Sequence, residues 1–158
     1  MARAREVPGF DCDEPFVRAA ARVVAVRAAE VFEHAPGVLD LGDIEHVHDM
    51  RVATRRLRAA LEVFEPCFPH KRWRQAIDRV KDLADALGER RDLDVQIEFL
   101  QALAGEIPVA DRRAVAALVD GLREGQLQAN RELAPFVTEK RLRKLRRRLQ
   151  ALVEAVEG

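Results

Sequence analysis

Between His48 and Arg58 the chain places one histidine and four arginines against a single acid, Asp49. On a helix advancing about 100° per residue, His48, Arg51, Arg55 and Arg58 fall on one side, with Arg56 on the flank. Met50, Ala53, Leu57, Ala60, Leu61 and Phe64 fall on the other side. Members of the cationic row stand three or four positions apart, so they are surface neighbours whose like charges repel. An ordinary solvated face would interleave carboxylates at that spacing. A row without them points to an anion outside the chain. Guanidinium is permanently charged and offers a planar fork of donors, which suits phosphate oxygens taken two at a time. Arginines about 5.4 Å apart along the helix axis can follow a string of repeated phosphates, with affinity summed over contacts rather than fixed by any one of them.

His48 heads the row. Its neighbour His46 is two positions away and points elsewhere on a helix, so the two make no chelating i, i+4 pair. No metal site is expected. No carboxylate at a suitable spacing is expected to orient the His48 ring, and its role reads as hydrogen-bond donor to phosphate. Thr54 lies near the row without a base to activate it. The chain contains no P-loop, no glycine-rich dinucleotide motif and no HExxH. These absences argue for a binding protein without catalytic residues or cofactor.

Three further segments carry charge that structure alone explains less well. Leu87-Gly88-Glu89-Arg90-Arg91-Asp92-Leu93-Asp94-Val95 reads as a helix stop followed by a new N-cap at Asp92. Arg91 there opposes the dipole of a helix beginning at that point, so it either pairs with an acid or faces the same anion as Arg51 and Arg55. Structural roles suit Asp92 and Asp94 better than a metal pair. Lys81 is the cation on the preceding helix that most resembles a site residue, among acids Asp78, Asp82 and Asp85 expected to face outward. From Lys140 to Arg148 there are seven cations and no acid. Lys140, Arg141 and Lys144 are candidates to widen the anion surface.

Helices must position all of these groups. The first is expected from Asp13-Glu14-Pro15 to about His34, through Phe16, Ala20, Val24 and Val31, and Ala35-Pro36-Gly37 ends it. Asp43 is the expected N-cap of the second, which carries the row and stops before Pro66. Pro69 opens a third, with Trp73, Ala76, Ile77, Val80, Leu83 and Leu87 facing inward and Gly88 closing it. A fourth runs from Asp92 through Val95, Ile97, Leu100 and Leu103 to Gly105. A fifth runs from Asp111 to about Ala134, and the last from Thr138 to about Val156. No alternating strand pattern occurs. The expectation is an all-α, up-and-down bundle of five to six helices over residues 13–158, behind a flexible tail at residues 1–12.

Composition bounds the function. Apolar residues make up 48% and charged residues 34%, enough for one helical domain with a real core. Lys and Arg total 27 against 27 acids, so no overall basicity argues for nucleic acid. Aromatics are few and tyrosine is absent, which disfavours a stacking platform for single strands. Cys12 and Cys67 suggest neither a zinc pattern nor a disulfide framework. No apolar run resembles a signal peptide or a membrane span, so a cytoplasmic protein without membrane contact is expected.

The segments Val47-His48-Asp-Met-Arg51-Val-Ala-Thr-Arg55-Arg56-Leu-Arg58 and Leu87-Gly88-x-x-Arg91-Asp92-Leu-Asp94-Val95 closely resemble the CHAD family, the conserved histidine α-helical domains. The resemblance spans roughly residues 15–155. It implies an all-helical domain that binds inorganic polyphosphate through a basic channel, with His48, Arg51, Arg55, Arg56, Arg58, Lys81 and Arg91 at the motif positions. It also implies association with intracellular polyphosphate granules. Family domains usually run to about twice this length, as two similar bundles each bearing a His-and-Arg helix. This chain has one such helix, so it is either an isolated half or a short form that pairs with a copy of itself, a homodimer completing a second bundle. The competing readings are nucleic-acid or other polyanion binding, phosphotransfer through His48, and a helical interaction module without ligand.

Overall fold

In a computed structural model, which describes residues 3–11 and 13–157, the chain forms five α-helices: α1 (Phe16–Glu33), α2 (Glu45–Val63), α3 (His70–Glu106), α4 (Val109–Leu133) and α5 (Glu139–Glu157). Short 3-10 turns at Glu65–Cys67 and Ala134–Phe136 lead into α3 and α5. No strand occurs among the described residues. The all-α bundle expected from periodicity is the observed architecture.

Helices α1, α2, α3 and α5 close a ring: α1 packs on α2 and α5, and α3 packs on α2 and α5. One core fills it. Ala21, Val24 and Val31 of α1 meet Val47, Met50, Ala53, Leu57 and Leu61 of α2. Trp73, Ala76, Ile77, Val80, Leu83 and Leu87 of α3 and Leu145, Leu149 and Leu152 of α5 join them, with Leu133 from the end of α4. The apolar stripe expected on α2 is buried from Met50 to Leu61. At one end Trp73 Nε1 donates to the Leu61 carbonyl at 2.7 Å, tying α3 to the end of α2. Pro66 and Pro69, which lack N–H donors, mark the turn between them.

Helix α4 lies outside the ring and packs mainly on α3. Ile97 and Val119 are buried there but do not belong to the main core. The reason is length. At 37 residues, α3 spans roughly 55 Å, whereas the 19 residues of α2 cover roughly 28 Å. The far half of α3 and α4 therefore form a helical hairpin projecting past the start of α2.

Three local expectations are corrected. Gly88 does not close a helix and Asp92 does not cap one, because α3 runs unbroken through both. Only Gly9 and Gly37 among the described residues have positive φ, so Gly88 keeps helical geometry rather than forming a left-handed cap. A helical glycine costs about 1 kcal/mol, less than the roughly 1.5–3 kcal/mol gained by burying one leucine such as Leu87. Continuing the helix wins. Phe16 and Val95, expected inside, are 69% and 47% exposed: Phe16 starts α1, with its ring 5.7 Å from that of Phe64, and Val95 lies beyond the reach of α2.

Gly37 turns the chain within the first connection and has a steric reason to be glycine. Its φ is +79°, and a Cβ there would lie 2.9 Å from Cδ2 and Nε2 of His46. Asp43 acts as a cap, although one residue early: its Oδ1 accepts from the Glu45 N–H at 3.1 Å. Residues 3–11 form no helix but lie along α1, where Arg5 N–H donates to Glu30 Oε1 at 2.5 Å and Arg27 Nη2 donates to the Arg5 carbonyl at 2.8 Å. Cys67 is a free, half-buried thiol, and Cys12 lies outside the described residues.

Candidate anion-binding site

The arginine row opens where expected, on the side of α2 away from the core. Arg51, Arg55 and Arg58 line a groove of about 410 Å³ between α2 and α3. Ala84, Asp85, Gly88, Glu89 and Asp92 of α3 form the opposite wall. Small residues at 84 and 88 make the groove: a Cβ built on Gly88 would lie 4.0 Å from Arg51 Nε. Gly88 thus leaves space for a guanidinium.

Among the described residues, neither Arg51 nor Arg55 has a carboxylate oxygen within 4.0 Å. Arg58 differs, because its Nε donates to Glu62 Oε1 at 2.9 Å. Lys81 Nζ reaches the same Glu62 oxygen at 3.9 Å, so Glu62 couples Lys81 to the end of the row. Asp85 is exposed, as expected, and with Glu89 and Asp92 it supplies carboxylates to the far wall. The groove is cationic along one wall and anionic along the other.

His48 is half-buried one turn before Arg51. Ligand atoms of Glu45, His48 and Asp49 lie within 4.8 Å of one another, but among the described residues no carboxylate oxygen comes within 4.0 Å of the His48 ring nitrogens. Arg56 is half-buried on the flank of α2. Arg91 is not at a helix start, so no dipole opposes it. Its side chain is 12% exposed and lies 3.8 Å from Glu98 Oε2. Buried Nη1 of Arg91 donates to no group among the described residues.

Lys140, Arg141 and Lys144 are not part of this groove. They belong to α5, which packs on α1 and α3. Arg141 and Lys144 line a separate recess beside Arg79 of α3. Thr54 is no nucleophile candidate, since its buried hydroxyl donates to the Met50 carbonyl at 2.8 Å.

Sequence reasoning passed over Arg90. Its side chain is wholly buried and pairs with buried Asp94 one turn on. Asp94 Oδ1 also accepts from Gln126 Nε2 of α4 at 2.6 Å. The signal was positional: Leu87, Arg90, Asp94 and Ile97 continue the inward stripe of α3.

Fold and groove together define an all-helical domain with an arginine ridge. The CHAD domain family model matches residues 22–158, and the chain belongs to that family, which is associated with polyphosphate binding. It is also similar to the uncharacterized protein Rv2226 of Mycobacterium tuberculosis (strain ATCC 25618 / H37Rv), with 40% identity over 81 residues. That match covers 49% of this chain and 15% of the relative, so the chain spans only a small part of that protein. No solved structure matches the chain. No described helix is long and apolar enough to cross a membrane.

Proposed function

We propose that the chain binds inorganic polyphosphate, without catalysing its turnover, along the α2 wall of the α2–α3 groove. The observation that carries this reading is the state of Arg51 and Arg55: one turn apart, open to a groove, and free of any carboxylate within 4.0 Å. His48 extends the row by a turn. Arg58 and Lys81 extend it the other way, exchanging Glu62 for phosphate oxygens, while Arg56 and Arg91 raise the local potential from half-buried positions. A chain of phosphates along such a row releases bound counterions, so affinity falls steeply with salt.

Replacing Arg51 and Arg55 together with alanine tests it. Long-chain polyphosphate binding, measured by fluorescence polarisation at low salt, drops at least tenfold while far-ultraviolet circular dichroism is unchanged. Unchanged affinity in that variant overturns the assignment. Duplex DNA at matched charge binds more weakly than polyphosphate on this reading, and equal binding would favour a general polyanion surface. Association with cytoplasmic polyphosphate granules follows if the groove acts this way in the cell.

The exposure of Val95 and Phe99, 47% and 66%, favours pairing with a second copy. Both lie on the face of α3 that α2 covers further back. A two-fold dimer through this face would set two arginine helices near one another. Light scattering at micromolar concentration distinguishes a dimer from a monomer.

A further inference from the structure

The cations of α5 do not form one uniform surface. Arg143 pairs with Glu139. Arg146 lies over the Phe32 ring, 4.6 Å from its centre. Arg141, Lys144 and Arg148 occupy a different side, at i, i+3 and i+7, and have no carboxylate within 4.0 Å among the described residues. They converge on a recess of about 60 Å³ with Arg79 and Asp82 of α3 and with Phe136. Asp82, the one acid lining it, is held by Arg79 at 3.2 Å. Leu83 and Leu145 are buried beneath, and an apolar floor strengthens the field of charges above it.

Size and position separate this recess from the groove. Residues 79 and 88 are nine positions apart, which places them on opposite sides of α3 at about 100° per residue. The groove is long and open. The recess has the volume of about two liquid waters, enough for one tetrahedral anion and too small for a chain of them. Arg141 and Arg148 offer planar forks, Lys144 a point charge, and Arg148 is already half-buried. Three adjacent like charges on one helix face weaken it unless an anion is present.

We propose that this recess is a second anion site, which seats a single phosphoryl group: free orthophosphate or the end of a polyphosphate chain. The choice of phosphoryl rests on the polyphosphate reading above, whereas the convergence of cations does not. With both sites filled, one chain holds phosphate on two opposite faces of α3.

Titration calorimetry with tripolyphosphate and with orthophosphate tests the proposal on three proteins: the unaltered chain, Arg51→Ala/Arg55→Ala, and Arg141→Ala/Lys144→Ala/Arg148→Ala. The exposed Lys144→Glu change replaces the triple variant if circular dichroism shows that the latter is not folded. The unaltered chain is expected to take two tripolyphosphates. The α5 variant takes one, with at least a tenfold loss at the other, and the α2 variant keeps the α5 site. Orthophosphate binding that only the α5 variant loses identifies the free ion as a ligand. Tripolyphosphate binding there without orthophosphate identifies a chain end. A single site that the α5 changes leave intact overturns the proposal. If the α2 changes alone have no effect while the α5 changes remove a site, the groove reading falls and this one stands.

Discussion

Arg51 and Gly88 face each other across the groove, with Arg51 Nε 4.0 Å from the position a Cβ on residue 88 would take. That separation is ordinary van der Waals contact, so a methyl group fits and a longer side chain does not. Gly88→Ala is expected to stabilise the protein by about 0.5–1 kcal/mol, because it restrains the unfolded chain and suits a helix interior. The gain appears as a rise of about 1–4 °C in Tm, with polyphosphate affinity retained. Gly88→Leu fills the groove, displaces the Arg51 guanidinium and weakens binding while leaving the helix intact. Thermal denaturation and polarisation on the two variants check both halves; equal affinity of the leucine variant would remove Arg51 from the contact surface.

The carboxylates on the α3 wall oppose an incoming polyanion. Asp85→Asn/Glu89→Gln removes two of them without changing shape, and both residues are exposed, so their fields are screened. Polyphosphate affinity is expected to rise a few-fold at low salt, and the gain shrinks as salt is added. In Arg51→Ala/Arg55→Ala the slope of log affinity against log salt becomes shallower by about 1.5, from roughly 0.7–0.9 per lost phosphate contact. A double amide variant that binds no better at low salt would mean that the anion does not run past that wall.

What the sequence revealed and what it concealed divide along a physical line. The two faces of α2 were legible because both depend only on the helical period: Met50, Leu57 and Leu61 had to be buried together, and Arg51, Arg55 and Arg58 had to emerge together. Gly88 and Asp92 misled because glycine and aspartate favour a break locally, and packing on both sides of Leu87 outweighs that preference. The placement of Lys140, Arg141 and Lys144 was not legible, since spacing within α5 says which cations are neighbours but not which helix lies opposite them. Closure of the ring through α1 and α3 decides that.

Gly37 and His46 make a second contact that admits no side chain. An alanine at 37 would meet two strains: a positive φ, which costs roughly 1–2 kcal/mol for a residue with a Cβ, and a 2.9 Å approach to the His46 ring. Gly37→Ala is therefore expected to destabilise by about 2 kcal/mol in urea unfolding. The double variant Gly37→Ala/His46→Ala, which removes the ring, recovers only the steric part. If the single variant is as stable as the parent, the turn before α2 can reorganise and does not fix where the row begins.

Arg90 and Asp94 form a buried ion pair, and the two partners do not satisfy each other completely. Arg90 Nε and Nη2 and Asp94 Oδ2 are buried without a hydrogen-bond partner among the described residues, so part of the cost of removing both charges from water is never recovered. Removing one partner strands the other charge, and Arg90→Ala or Asp94→Ala is expected to cost about 3–5 kcal/mol. Replacing both with apolar residues of similar size removes the desolvation cost and also leaves Gln126 without its acceptor. The variant that separates these effects is therefore Arg90→Met/Asp94→Leu/Gln126→Leu, expected to be at least as stable as the parent and up to about 4 kcal/mol more so. Residue 90 lies on the opposite side of α3 from the groove, so polyphosphate affinity is expected to be unchanged in the triple variant. Loss of binding in a folded triple variant would show that the buried pair sets the direction in which α3 presents its groove wall, and that its polar character is kept for position rather than for stability.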